Sequence, residues 1–122
     1  MKKILVVDDD MTFVAMIKAA LDPKEYEVSS GANGVEGLTR ITESKPDLIL
    51  LDVMMPKMDG IEFLKQISEK YGEHKIPVLI TSNVSSMDKI SESVSLGIKG
   101  YFVKSNESLN GIIGMIERAL AK

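Results

Sequence analysis

Leu48-Ile49-Leu50-Leu51-Asp52 reads as four aliphatic residues closed by a carboxylate. An apolar run of that length suits a strand buried on both faces of a parallel sheet. A second run of the same kind, Lys3-Ile4-Leu5-Val6-Val7, is closed by Asp8 and Asp9. If the two runs lie side by side and parallel, their carboxylates meet at one edge of the sheet. Two bare carboxylates about 4 Å apart repel by roughly 4 kcal/mol at an effective dielectric near 20. A hard divalent cation that prefers oxygen ligands is the simplest reason to keep such a cluster.

Outward from these runs, short apolar stretches alternate with segments of helical period. Tyr26 to Ser29, Val78 to Thr81 and Tyr101 to Val103 are the remaining strand candidates. The first of these alternates polar and apolar residues, which suits an edge strand. Between the strands, Phe13, Met16, Ile17, Ala20 and Leu21 fall on one helical face, as do Gly60, Phe63, Leu64 and Ile67. Leu109, Ile112, Ile113, Ile116 and Leu120 form the face of a last helix, in which Gly111 and Gly114 each cost roughly 1 kcal/mol relative to Ala. Weaker patterns run from Gly34 to Ser44, with Val35, Leu38 and Ile41, and from Ser86 to Ser95, with Met87, Ile90 and Val94. Ser85 with Asp88 resembles a capping box before the latter. The order is β-α five times, which predicts an α/β domain: an open, doubly wound, five-stranded parallel sheet with helices on both faces. A closed eight-stranded barrel needs about twice this length. Ligands of open sheets bind outside the carboxyl ends of the strands, at the switch point, which is where Asp8, Asp9 and Asp52 fall.

The bulk numbers narrow the function. The 122 residues fit one domain, 1–122, with one core. Acidic residues outnumber basic ones 18 to 15, and no Lys/Arg block marks a surface for direct nucleic-acid binding. The absence of cysteine excludes disulfides, thiolate catalysis and zinc-thiolate sites. No apolar run is long enough to insert in a membrane or to form the core of a signal peptide, so a cytoplasmic protein is expected.

Two further groups belong at the same sheet edge. Lys104 ends the fifth strand and Ser82 ends the fourth. Taken singly, each has a bland explanation: Asp8-Asp9 as a helix N-cap pair, Lys104 as a solvated lysine, Ser82 as a turn serine. An N-cap does not account for Asp52, which runs into Val53-Met54-Met55-Pro56 and not directly into a helix. Together the five supply anionic, cationic and hydroxyl groups at the ends of four strands. His74 is read as a surface-loop residue, Met54, Met55 and Met58 as flexible gap-fillers, and Asp59-Gly60 as a turn and helix start.

With these residues in place the whole chain resembles the response-regulator receiver domains of two-component signalling, of the single-domain chemotaxis type. The matching elements are Asp8-Asp9, the segment from Asp52 through Pro56 to Asp59-Gly60, Ser82, Tyr101 and Lys104. Their spacing fits too, with 30 residues from Asp52 to Ser82 and 22 from Ser82 to Lys104. The resemblance implies a flavodoxin-like strand order, 2-1-3-4-5. It implies that Asp52 accepts a phosphoryl group from a sensor histidine kinase or phosphotransfer protein. It implies a Mg²⁺ site made by Asp9, Asp52 and the Met54 carbonyl, with Asp8 holding a metal-bound water. Lys104 would pair with a phosphoryl oxygen, Ser82 would bond another, and Tyr101 would follow Ser82 inward. A downstream protein would read the face made by the segment 86–95, the fifth strand and the last helix. Such a chain is a self-phosphorylating and slowly self-dephosphorylating switch, not a turnover enzyme.

The chain departs from the family pattern in three places besides. Ser82 stands where Thr is commoner, Asn83 where a small Ala is usual, and Ser105 where Pro usually follows the lysine. The positions two after the acceptor and two after the hydroxyl, Met54 and Val84, are apolar and cannot orient an attacking water, so slow hydrolysis is expected. Two other functions remain open. An aspartyl-phosphate hydrolase would normally carry a second Asp two residues after the nucleophile, where this chain has Met54. A phosphorylation-independent interaction module would have no need of the acid cluster, the hydroxyl and the lysine together.

Overall fold

A computed structural model describes residues 1–53, 58, 60–71, 76–82 and 98–121, with Tyr71, Ser82 and Asn106 described by backbone alone. Strands β1 (Lys2–Val7), β2 (Tyr26–Gly31), β3 (Leu48–Asp52), β4 (Val78–Ser82) and β5 (Gly100–Val103) form one sheet in the order β2-β1-β3-β4-β5. All four pairings are parallel. Helices α1 (Met11–Ala20), α2 (Gly34–Glu43), α3 (Gly60–Tyr71) and α4 (Leu109–Leu120) connect or follow them. The expected helix over 86–95, with Ser85 and Asp88, lies outside the described residues, as do Met54, Asn83, Val84 and His74.

The two runs that decide the fold are the centre of the sheet. Ile4 to Val7 and Leu48 to Leu51 are almost wholly shielded from solvent. Their side chains alternate between two cores. Leu5, Val7, Ile49 and Leu51 pack with Phe63, Leu64 and Ile67 of α3 and Ile41 of α2. Ile4, Val6, Leu48 and Leu50 pack with Phe13, Val14 and Ile17 of α1 and Ile112, Ile116 and Ala119 of α4. Each fully buried aliphatic side chain contributes about 1.5–3 kcal/mol of transfer free energy, so eight of them anchor the register of β1 on β3. That register, Ile4↔Leu48 through Val7↔Leu51, fixes how the carboxylates beyond it meet. The alternating run Tyr26 to Ser29 lies in β2, which is an edge strand as expected and half-buried along most of its length.

Two helical faces are turned relative to the sequence reading. In α1 the buried residues are Phe13, Val14 and Ile17, while Met16 is 43% exposed. In α2 the buried residues are Gly34, Gly37 and Ile41, and Val35 is exposed. Gly37 explains the second case. A Cβ there would stand 2.8 Å from the Phe63 ring and 2.9 Å from Val7 Cγ2. The helix therefore rests on its glycine, because no side chain fits between it and β1.

Candidate functional site

The acidic edge is built by strand ends. Val7 pairs with Leu51, so Asp8 and Asp52 stand one step further along neighbouring strands. Carboxylate oxygens of Asp8, Asp9 and Asp52 lie within 4.8 Å of one another. Asp8 is wholly buried and Asp52 is 8% exposed, whereas Asp9 faces solvent. Buried like charges demand compensation, and part of it is Lys104, the first residue of a short 3₁₀ turn, Lys104–Asn106, that follows β5. Its ammonium stands 2.6 Å from Asp8 Oδ2 and 3.9 Å from Asp52 Oδ2. The close approach to Asp8 is an ion pair without hydrogen-bond alignment, since Asp8 Oδ2 has no hydrogen-bond partner among the described residues. The lysine thus leans to Asp8, not to the strand-end Asp52.

The loop after β1 is held by its own acids. Asp8 Oδ1 accepts the Asp10 backbone N–H at 2.9 Å. Asp10 Oδ1 in turn accepts the N–H groups of Thr12 and Phe13 at 3.1 and 3.2 Å. The N-cap of α1 is therefore Asp10, and neither Asp8 nor Asp9, which corrects the bland reading of that pair. Asp8 and Asp9 are left for the acidic edge.

The exit from β3 is fixed by Gly60. Its N–H donates to the Val53 carbonyl at 3.2 Å, closing the loop between β3 and α3 at its neck. A Cβ on Gly60 would meet Val53 Cα at 2.6 Å and the Asp52 carbonyl oxygen at 2.7 Å. Only glycine permits that approach, so Gly60, read from sequence as part of a turn and helix start, also clamps the backbone of Asp52. Met58 packs above it against Gly34.

Ser82 closes β4 and pairs with Val103, one step before Lys104. Its hydroxyl, like the Met54 carbonyl, is outside the described residues. Tyr101 lies on β5 and is 47% exposed. Thr81 pairs with Asp52 on one side and Phe102 on the other. Its hydroxyl is fully buried and has no hydrogen-bond partner among the described residues. Sequence reasoning took Thr81 only as a strand residue. Phe13 was likewise read only as core, yet the Lys104 ammonium sits 4.5 Å from its ring centroid. A hydroxyl inside an otherwise aliphatic strand was the available signal for the first. Nothing in a linear sequence signals the second.

The donor set suits a hard cation. Three carboxylates offer oxygen only, and the buried Asp8 Oδ2 lacks a hydrogen bond. The same edge presents three carboxylates and an ammonium. That inventory serves phosphoryl transfer, where positioning and charge neutralisation do most of the catalysis. Among the described residues no helix is long and apolar enough to cross a membrane.

Residues 4–116 match the family model of the response regulator receiver domain. The chain is 34% identical to the chemotaxis protein CheY of Listeria monocytogenes over 98% of both sequences. It is 37% identical to the sporulation initiation phosphotransferase F of Bacillus subtilis, over 84% of this chain and 82% of that protein. The alkaline phosphatase synthesis transcriptional regulatory protein PhoP of the same organism is 39% identical over 84% of this chain, which spans 42% of PhoP's length. Among solved structures, the chemotaxis protein CheY4 of Vibrio cholerae superposes with a TM-score of 0.86 at 31% identity, over 98% of this chain and 99% of that one.

Proposed function

This chain belongs to the response regulator receiver family of two-component signalling, and from that premise we propose that residues 1–122 act as a phosphorylation-driven switch with Asp52 as the acceptor. The observation that carries the reading is the convergence of Asp8, Asp9 and Asp52 within 4.8 Å, with the Lys104 ammonium between Asp8 and Asp52.

The donor is a phosphohistidine of a sensor kinase or of a phosphotransfer protein. An Asp52 carboxylate oxygen attacks phosphorus in line, the P–N bond to the donor imidazole breaks, and its electron pair returns to that nitrogen. Asp8, Asp9 and Asp52, with the Met54 carbonyl, would hold Mg²⁺, which when bound supplies positive charge to the phosphoryl oxygens. Lys104 leaves Asp8 for a phosphoryl oxygen, a move its long stem permits without a backbone change. Ser82 donates its hydroxyl to another oxygen, and Tyr101 turns in behind it. Gly60 keeps the Asp52 backbone still while this happens. The altered face around Ser82, Tyr101 and α4 is what a downstream protein reads in the cytoplasm. The acyl phosphate is then lost slowly to water, and the protein is not a turnover enzyme.

The test is incubation with a small phosphodonor and Mg²⁺, followed by mass mapping of the acid-labile adduct. One phosphoryl group on the peptide containing Asp52, absent from Asp52→Asn, is expected. An adduct that survives Asp52→Asn at the same rate refutes the assignment. Continuous phosphate release at many turnovers per protein would favour the hydrolase alternative.

A further inference from the structure

Among the described residues Lys104 has three partners, and one of them is an aromatic face. Its ammonium pairs with Asp8, stands 3.9 Å from Asp52 and lies 4.5 Å from the centroid of Phe13. Only 18% of the lysine side chain is exposed, so water cannot solvate the whole ammonium. It carries three N–H groups and no acceptor. The Phe13 ring is a further partner beside the two carboxylates, since the electron-rich face of an aromatic side chain attracts a cation within about 6 Å. An aliphatic residue at position 13 would remove that attraction.

The ring is placed by the same acids that hold the lysine. Asp8 accepts the Asp10 N–H, Asp10 accepts the Phe13 N–H, and Phe13 sits in the first turn of α1, 5% exposed. A carboxylate and a ring tied by two consecutive hydrogen bonds thus face one ammonium from two directions.

We infer that Phe13 is a positioning residue for Lys104: its ring face holds the ammonium at the site while the amine exchanges Asp8 for the phosphoryl oxygen on Asp52. The inference rests on Asp52 being the acceptor. When Lys104 leaves Asp8, the ring remains as a partner. The amine then swings about the ring and does not detach into solvent. Phe13 touches neither phosphoryl group nor metal, and acts on the rate through Lys104 alone.

Fluorination tests this without changing the shape of the core. Phenylalanine, its 4-fluoro and its pentafluoro analogues are placed at position 13, and phosphorylation of the full chain by acetyl phosphate with Mg²⁺ is timed. The rate should fall with each loss of negative charge from the ring face, by about three- to tenfold across the series. Phe13→Tyr, which keeps the face, should stay within about twofold of wild type. In the metal-free protein the ring-current shift of the Lys104 ε-protons should shrink along the same series, while melting temperatures track side-chain volume and not ring charge. A flat rate and an unchanged lysine shift, with Asp52 still the modified residue, overturn the role of Phe13 alone. Modification that persists in Asp52→Asn overturns the acceptor assignment, and the inference with it.

Discussion

Replacing Lys104 with Met removes an ammonium that stands 2.6 Å from Asp8 Oδ2 and 3.9 Å from Asp52 Oδ2, and leaves the side-chain length nearly unchanged. At an effective dielectric near 20 the two attractions are roughly 6 and 4 kcal/mol before desolvation is counted. Taking the lysine out of water offsets most of that. The net cost of deleting one partner from a buried ion pair is typically about 3–5 kcal/mol, because the other charge stays buried without compensation. Asp8 is such a charge, wholly shielded, while the lysine is 18% exposed, so the low end applies. We expect Lys104→Met to lose about 3 kcal/mol in EDTA, or a melting temperature lower by about 10 °C for a chain of this size. A domain with 5–15 kcal/mol of stability survives that loss folded.

Mg²⁺ should then reverse the order of effects. In the wild type the ammonium occupies Asp8 Oδ2, so a cation entering the acid cluster must displace it. In the variant the carboxylates are free of that competitor. Saturation at 100 times the dissociation constant stabilises a folded state by about 2.7 kcal/mol. The gain at any fixed Mg²⁺ concentration should be larger in Lys104→Met than in wild type. Urea titrations of both proteins, in EDTA and across a Mg²⁺ series, measure this directly. Lys99→Met, which removes an exposed lysine, controls for net charge. Equal midpoints in EDTA, or equal Mg²⁺ increments in the two proteins, would refute the competition between lysine and metal.

Gly60→Ala should cost about 1–3 kcal/mol and slow phosphorylation of Asp52, because the new methyl meets backbone of Val53 and Asp52 at 2.6–2.7 Å; urea midpoints and adduct formation check both. Thr81→Val should stabilise the unphosphorylated protein by about 1 kcal/mol, since it replaces a buried hydroxyl that has no partner with a methyl of the same shape; a loss in thermal midpoint would contradict it. Burial, then Glu117 and Glu25, raise the Tyr26 hydroxyl above its ordinary value of 10.0. The unfolded chain then releases that proton first, so the stability tied to the neutral phenol is intact below pH 10 and is lost as pH rises through the elevated value. Tyr26→Phe should flatten the fall in urea midpoint above pH 10, and parallel alkaline curves for the two proteins would be evidence against it.

What the sequence made legible follows from which interactions depend on period and strand ends. Burial on both faces writes itself into consecutive aliphatic residues, so β1 and β3, and with them the meeting of Asp8 and Asp52, could be read directly. Helix phase is less visible. Met16 and Val14 are both apolar, and which of them packs depends on the rotation of α1 about its axis. That rotation is set by the cap at Asp10, the third member of an acidic run in which any residue could have capped. In α2 two of the three buried residues are glycines, which carry no apolar signal, so the period points to Val35 and passes over Gly37. At the site itself, position along a strand brought Lys104 to the right edge. It could not say which acid the ammonium would choose, because a side chain with four rotatable bonds reaches Asp8 and Asp52 equally well. Nor could it show that the ammonium would also lie over Phe13, about three-quarters of the chain away in sequence and fixed in place by a hydrogen bond to Asp10. Contacts of that kind are properties of the assembled sheet and its first helix, and they decide how the charges of the site are arranged.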